Sequence, residues 1–120
     1  MDIQHVFLVG TKSLGAYGGF ETFVNKLTEY HQNNDKIKYH VACKANGAGC
    51  MDPEKTEGAE IISDHEFLYH NAHCFQIHVP EKLGSAQAIY YDVVALKKCI
   101  WIIREQKIEH PIVYIMACRI

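Results

Sequence analysis

The chain is expected to fold in the α/β class, as a parallel sheet with helices on both faces. Four apolar runs, Ile3–Val9, Ile37–Cys43, Cys74–Val79 and Ile112–Cys118, have the length and composition of buried strands. Two stretches of helical periodicity separate the outer pairs of runs, and Asn, Gly and Pro residues mark most of the junctions. Strand, helix, strand, irregular region, strand, helix, strand is the rhythm of right-handed crossovers, a Rossmann-like plan. The strand order it predicts is 3-2-1-4, with a switch point between the first and last strands where ligands bind such sheets.

Each element has its own justification. After the first strand, Phe20, Phe23, Val24, Leu27 and Tyr30 fall at helical spacing, and Asn33-Asn34-Asp35 stops the helix near Gln32. Lys44 to Gly58 is glycine-rich and charged, with Pro53 inside it, and reads as a surface loop; residues 45–64 are the expected site of an insertion. Ala59 to Tyr69 has room for a short helix or strand, and Pro80 ends the third strand. From Ala86 to about Gln106, Ile89, Val93, Leu96, Ile100 and Ile103 repeat as one stripe and are expected to face the sheet.

The segment Gly10 to Leu27, GTKSLGAYGGFETFVNKL, joins the first strand to the first helix and carries the main chemical signal. A helix start presents unpaired N–H groups and partial positive charge, and Gly18-Gly19 lets backbone approach a ligand without Cβ obstruction, so the loop suits an anion. It is not a Walker A loop, which ends Gly-Lys-Ser/Thr, because these glycines lead into Phe20-Glu21. Nor is it the G-x-G-x-x-G dinucleotide fingerprint, since Lys12 stands where the second glycine is required. Glu21 would repel a phosphate placed directly over it but could accept hydrogen bonds from sugar hydroxyls. A tight turn with Glu21 as a helix cap is the plain alternative.

At 120 residues and 48% hydrophobic content the chain suits one domain that buries roughly two-thirds of its unfolded surface. A formal charge of -2 disfavours nucleic acid as the main partner. Five cysteines are an odd number, and three of them, Cys43, Cys74 and Cys118, end or open apolar runs where free thiols behave as small hydrophobes. Together with a start, MDIQHVFLVG, that has neither a basic leader nor a spanning length of apolar residues, this places the expected protein in the cytoplasm.

The stretches KSLGAYGGFETFVNKLTEY, KIKYHVAC, CFQIHVP, AIYYDVVAL and PIVYIMACRI together resemble the N-terminal part of bacterial rhamnosyltransferases among the family 4 glycosyltransferases, the group that builds capsular and cell-wall polysaccharides. The resemblance runs from Ile3 to Ile120, with GAYGGFETFV its most specific part, and it lapses between Ala45 and about Asp64. It implies a GT-B enzyme, two Rossmann-like domains across a cleft, that needs no metal or other cofactor for sugar transfer. Residues 1–120 would be an incomplete acceptor-side domain, and the C-terminal donor-binding domain would lie outside this sequence. The implied donor is a nucleoside diphosphate sugar such as dTDP-rhamnose, and the acceptor a saccharide or lipid-linked saccharide. Residue by residue, Gly15, Tyr17, Gly18, Gly19 and Glu21 match the loop and helix start, with Lys12 just upstream. Tyr90, Tyr91 and Asp92 match the YYD stretch, and Arg119 follows Cys118 after the fourth strand. These are the candidate substrate-binding residues. No catalytic base is assigned, and Asp92 is a weak candidate because an aspartate near a helix start more often caps the helix or is solvated.

Other clusters have plainer readings. His65, His70, His73, Cys74 and His78 carry zinc-ligand chemistry, but on an extended strand 73 points away from 74 and 78, so scattered histidines and a core cysteine are expected instead. Tyr90, Tyr91 and Trp101 could form a sugar platform, with core packing the default. Lys97, Lys98 and Arg104 could meet anionic headgroups at the inner face of the plasma membrane, although such charges are usually only solvated. Three functions stay open: half of a sugar transferase, inactive alone; a free-standing nucleotide- or phosphosugar-binding module; and a non-catalytic domain that covers an exposed sheet edge by forming a homodimer.

Overall fold

A computed structural model describes residues 3–10, 19–46 and 52–115. Its elements are β1 (Gln4–Val9), α1 (Gly19–Tyr30), β2 (Ile37–Lys44), β3 (Glu60–Ser63), β4 (Glu66–Tyr69), β5 (Ala72–Ile77), α2 (Gln87–Glu105) and β6 (Ile112–Ile115). One open sheet takes all six strands in the order β3-β4-β5-β2-β1-β6. From β5 to β6 the strands are parallel, with Val41 opposite Leu8 and Cys74, and Val9 opposite Ile115. This is the expected 3-2-1-4 order for the four crossover-linked strands.

The two further strands come from the stretch left open between Ala59 and Tyr69. β4 runs antiparallel to β5 and β3 antiparallel to β4. The β4–β5 connection is the two-residue turn His70-Asn71, with φ 51° and 64°. Positive φ at both positions is the turn whose twist matches a hairpin, and asparagine tolerates it better than most residues. Asn71 Nδ2 also donates to the carbonyl of Gln32 at 2.9 Å, and Thr28 Oγ1 meets His70 Nδ1 at 3.2 Å, which ties the hairpin to α1. The described residues between 45 and 64 are therefore not simply a loop. Asn46 bonds both the carbonyl and the N–H of Val79 at 2.8 Å, Pro53–Lys55 forms a 3-10 turn capped by Asp52, and β3 follows.

The helices cover opposite faces. Val24 and Leu27 of α1 pack with Leu8, Val41, Cys43, Phe67 and Cys74, while Tyr91, Ala95, Cys99 and Ile102 of α2 pack with Phe7, Val9, Ala42 and Phe75. Each fully buried phenylalanine contributes roughly 1.5–3 kcal/mol by leaving water. The central strands β2 and β5 are buried on both faces along most of their length.

Two stripes differ from expectation. On α2 the buried face is Tyr91, Ala95, Cys99 and Ile102, whereas Ile89 and Ile100 are about half exposed and Val93, Leu96 and Ile103 sit at the flanks. The small side chains Ala95 and Cys99 allow close approach to the sheet, and the larger branched residues are left beside the contact line. On α1, Val24 and Thr28 are fully buried, but Phe23 is half exposed and Tyr30 is 84% exposed. Thr28 is accommodated because its hydroxyl donates back to the Val24 carbonyl at 2.9 Å.

Candidate functional site

The topology gathers four chain ends at one edge of the sheet. β1 ends at Val9, directly beside the end of β6 at Ile115. Gly10, with φ 118°, turns the chain out of β1 in a conformation that favours glycine. α1 begins at Gly19 on one face, and α2 begins at Gln87 on the other after a 3-10 segment, Glu81–Ala86, broken at Gly84 with φ 55°. Helix starts and strand ends thus converge at the switch point, where α/β sheets bind ligands. Phe23 of α1 reaches Tyr114 of β6, their ring centroids 6.4 Å apart.

The candidate residues distribute unevenly around this edge. Lys12, Gly15, Tyr17, Gly18 and Arg119 lie outside the described residues. Gly19 is the first residue of α1, and Glu21 lies in its first turn with its side chain outside the described set. Tyr90 is 38% exposed, but Tyr91 is 3% exposed and belongs to the α2 core, so the two rings do not form a shared platform. Adjacent residues on a helix point about 100° apart, which separates the pair. Asp92 is 1% exposed, neither capping nor solvated as the sequence suggested; it is the one buried carboxylate among the described residues. A buried carboxylate persists only with polar partners, which gives Asp92 a fixed place beside the start of α2.

The histidines separate as well. His73 faces α2, Cys74 lies in the core under α1, and His65 and His78 are exposed. Among the described residues no group of three or more His, Cys, Asp or Glu side chains is arranged to hold a metal. Burial pushes the Cys99 thiol up to about 12 and that of Cys74 well above its ordinary value, so both are packing groups. Lys97, Lys98 and Trp101 are exposed on α2, with the Lys98 ammonium 5.5 Å from the indole centroid. No helix among the described residues is long and apolar enough to cross a membrane.

Sequence reasoning missed a second polar constellation at the opposite, amino-terminal end of the parallel strands. His5 Nδ1 meets His40 Nε2 at 2.9 Å, His40 Nδ1 meets His73 Nδ1 at 2.8 Å, and His73 Nε2 meets Glu66 Oε2 at 2.7 Å. The four side chains come from β1, β2, β5 and β4 and share the α2 face. Burial, then the neighbouring His73, His5 and Lys38, lower the His40 pKa to about 3. Each histidine sits two residues from a core residue of its own strand, Phe7, Ala42 or Phe75, and so shares its face, but their meeting depends on a register that no single segment encodes.

Comparison with known families gives a match over nearly the whole chain. The family described as a domain of unknown function, DUF1972, covers residues 3–120, and the chain belongs to it. That family is associated with family 4 glycosyltransferases, so the domain is of the kind found at the N-terminal side of such enzymes, an association that suggests a role in sugar transfer. No curated protein and no solved structure matches the chain.

Proposed function

We propose that this chain is the acceptor-side domain of a glycosyltransferase that moves rhamnose from dTDP-rhamnose to a saccharide or lipid-linked saccharide during surface polysaccharide synthesis, working at the cytoplasmic face of the membrane. The observation that carries the reading is the convergence of the β1 and β6 ends with the starts of α1 and α2. Leaving-group charge develops on a diphosphate as the glycosidic bond breaks, and preorganised N–H donors at the Gly18-Gly19 helix start lower that barrier. In this reading Lys12 and Arg119 add cationic charge, Gly15 and Tyr17 shape the loop, Glu21 accepts sugar hydroxyls, and exposed Tyr90 offers a ring face to the acceptor. Tyr91 supports them from the core. Asp92, buried within α2, is the candidate base or base-positioning group in this reading. The donor's base and most donor specificity would reside in a second domain.

The test is a thermal-shift titration of the purified chain with dTDP-rhamnose, dTDP and UDP, beside a Gly18→Val, Gly19→Val double variant. Stabilisation that grows with dTDP-ligand concentration and disappears in the variant is the expected result. Equal shifts in both proteins would move the diphosphate away from the glycine loop.

A second reading, self-association, rests on β6. Its four residues, Ile112, Val113, Tyr114 and Ile115, are between 38% and 50% exposed at the edge of the sheet. An apolar edge strand of this kind pairs readily with another chain.

A further inference from the structure

α2 buries Tyr91, Ala95, Cys99 and Ile102 against the sheet, so the helical rotation per residue fixes which side chains face outward. The outward side carries Lys97 and Arg104 along its middle, Ile89 and Ile100 on one margin and Tyr90 and Trp101 on the other, an arc of about 120°. The four apolar residues are between 38% and 56% exposed and run over about 18 Å of helix. No carboxylate of α2 lies on this arc. Of the helix's two acids, Asp92 is buried, and Glu105 falls beyond Trp101 on the same flank as Lys98, whose ammonium stands 5.5 Å from the indole centroid. Glu81 and Lys82 before the helix, and Lys107 and Glu109 after it, cancel in charge. A chain of formal charge -2 thus presents one helix face that is both apolar and cationic.

We propose that the outward face of α2 docks this domain on an anionic lipid bilayer, with Ile89, Ile100 and Trp101 entering the headgroup layer and Lys97, Lys98 and Arg104 meeting lipid phosphates. Tryptophan and tyrosine rings settle at the boundary between hydrocarbon and water, and lysine and arginine stems lie along apolar neighbours while their charged ends reach the phosphates. Each cation near an anionic surface strengthens binding about fivefold. The arc runs along the helix, so α2 lies flat on the surface, and no helix among the described residues is long and apolar enough to cross it.

Charge complementarity selects this occupant. A second copy of the same face would bring only further cations, so self-association belongs to the β6 edge and not to α2. An acidic protein surface shares the charge of a bilayer but has no acyl chains, and depth of insertion separates the two. The inference deepens the reading above, which calls for a lipid-linked acceptor, and rests on it in one respect. α2 starts at the switch-point edge, so docking through its outward face brings that edge beside the bilayer, where the sugar of such an acceptor stands.

The decisive experiment uses Trp101, the single tryptophan of the chain, as its own probe. Vesicles of phosphatidylglycerol and phosphatidylcholine, titrated into the chain at low salt, should shift its emission to the blue, and lipids brominated on the acyl chain close to the headgroup should quench it. Binding read by co-sedimentation should be at least about tenfold tighter than to phosphatidylcholine alone. It should be lost near about 1 M salt, where the screening length falls to about 3 Å. The Lys97→Gln, Arg104→Gln double variant should bind about 25-fold more weakly, fivefold for each charge. Ile100→Ser should weaken binding about tenfold and keep the salt dependence. Thermal unfolding at the wild-type midpoint checks that the variants fold, and the wild-type response stands without them. An unshifted Trp101, equal affinity for the two vesicle types or an unweakened double variant would overturn the proposal. So would a blue shift on polyglutamate equal to that on vesicles, which would assign the face to an acidic protein. The vesicles hold no sugar nucleotide and no acceptor, so this result and the dTDP titration fail separately.

Discussion

His40 is 1% exposed, stacked on Phe7 with ring centroids 4.4 Å apart, and bonded through both nitrogens. Because its pKa falls from 6.5 unfolded to about 3 folded, the unfolded chain binds more protons across that window. The sign follows: the stability His40 confers is fully present above pH 6.5 and declines as pH falls toward 3. Urea unfolding at pH 7 and pH 5 should show a lower midpoint at pH 5, and His40→Phe should flatten that difference; equal wild-type midpoints would contradict the assignment. At this scale the sequence was least informative. Burial of His40 opposes its polarity, and only His5 and His73, supplied by other strands, make it tolerable.

α2 shows how an element can be placed correctly in sequence and turned wrongly about its axis. Its ends were legible to within a residue, from Ala86 and Gln106 against Gln87 and Glu105. Its contact face was not, because apolar residues surround much of the helix and hydrophobic spacing selects among stripes only when one side is polar. The choice fell to size, through Ala95 and Cys99. Alanine substitution of the adjacent tyrosines reads this out directly. Tyr91→Ala should lower unfolding free energy by about 3–5 kcal/mol, as a large side chain removed from a core does. Tyr90→Ala should change it by less than about 0.5 kcal/mol. Chemical denaturation of both variants measures the contrast, and equal losses would mean the helix sits rotated from this position.

For the whole molecule, the strand order could be read in advance because right-handed crossovers and short connections leave few arrangements. The β3–β4 addition could not, since two four-residue strands carry too little alternation to distinguish from a loop. The apolar β6 edge and the half-exposed Ile100 and Trp101 on α2 give the domain uncovered surface on its flank. Sedimentation of the isolated chain should show mass rising with concentration, and Tyr114→Lys should suppress it; a monomer at all concentrations would remove the self-association reading.

The position of β1 also has a consequence in time. Of the six described strands it is the first to be synthesised, and its pairing of Val6 with Ile112 brings together distant parts of the described chain. Until residues 112–115 emerge, β1 can be zipped only to β2, with its other margin unoccupied. Contacts of such long sequence separation close slowly, so β6 docks last of the six described strands. While residues 10–111 are made, a nascent chain therefore carries an adhesive strand, and its yield in a cell depends on how fast β6 arrives or on what shields β1 meanwhile.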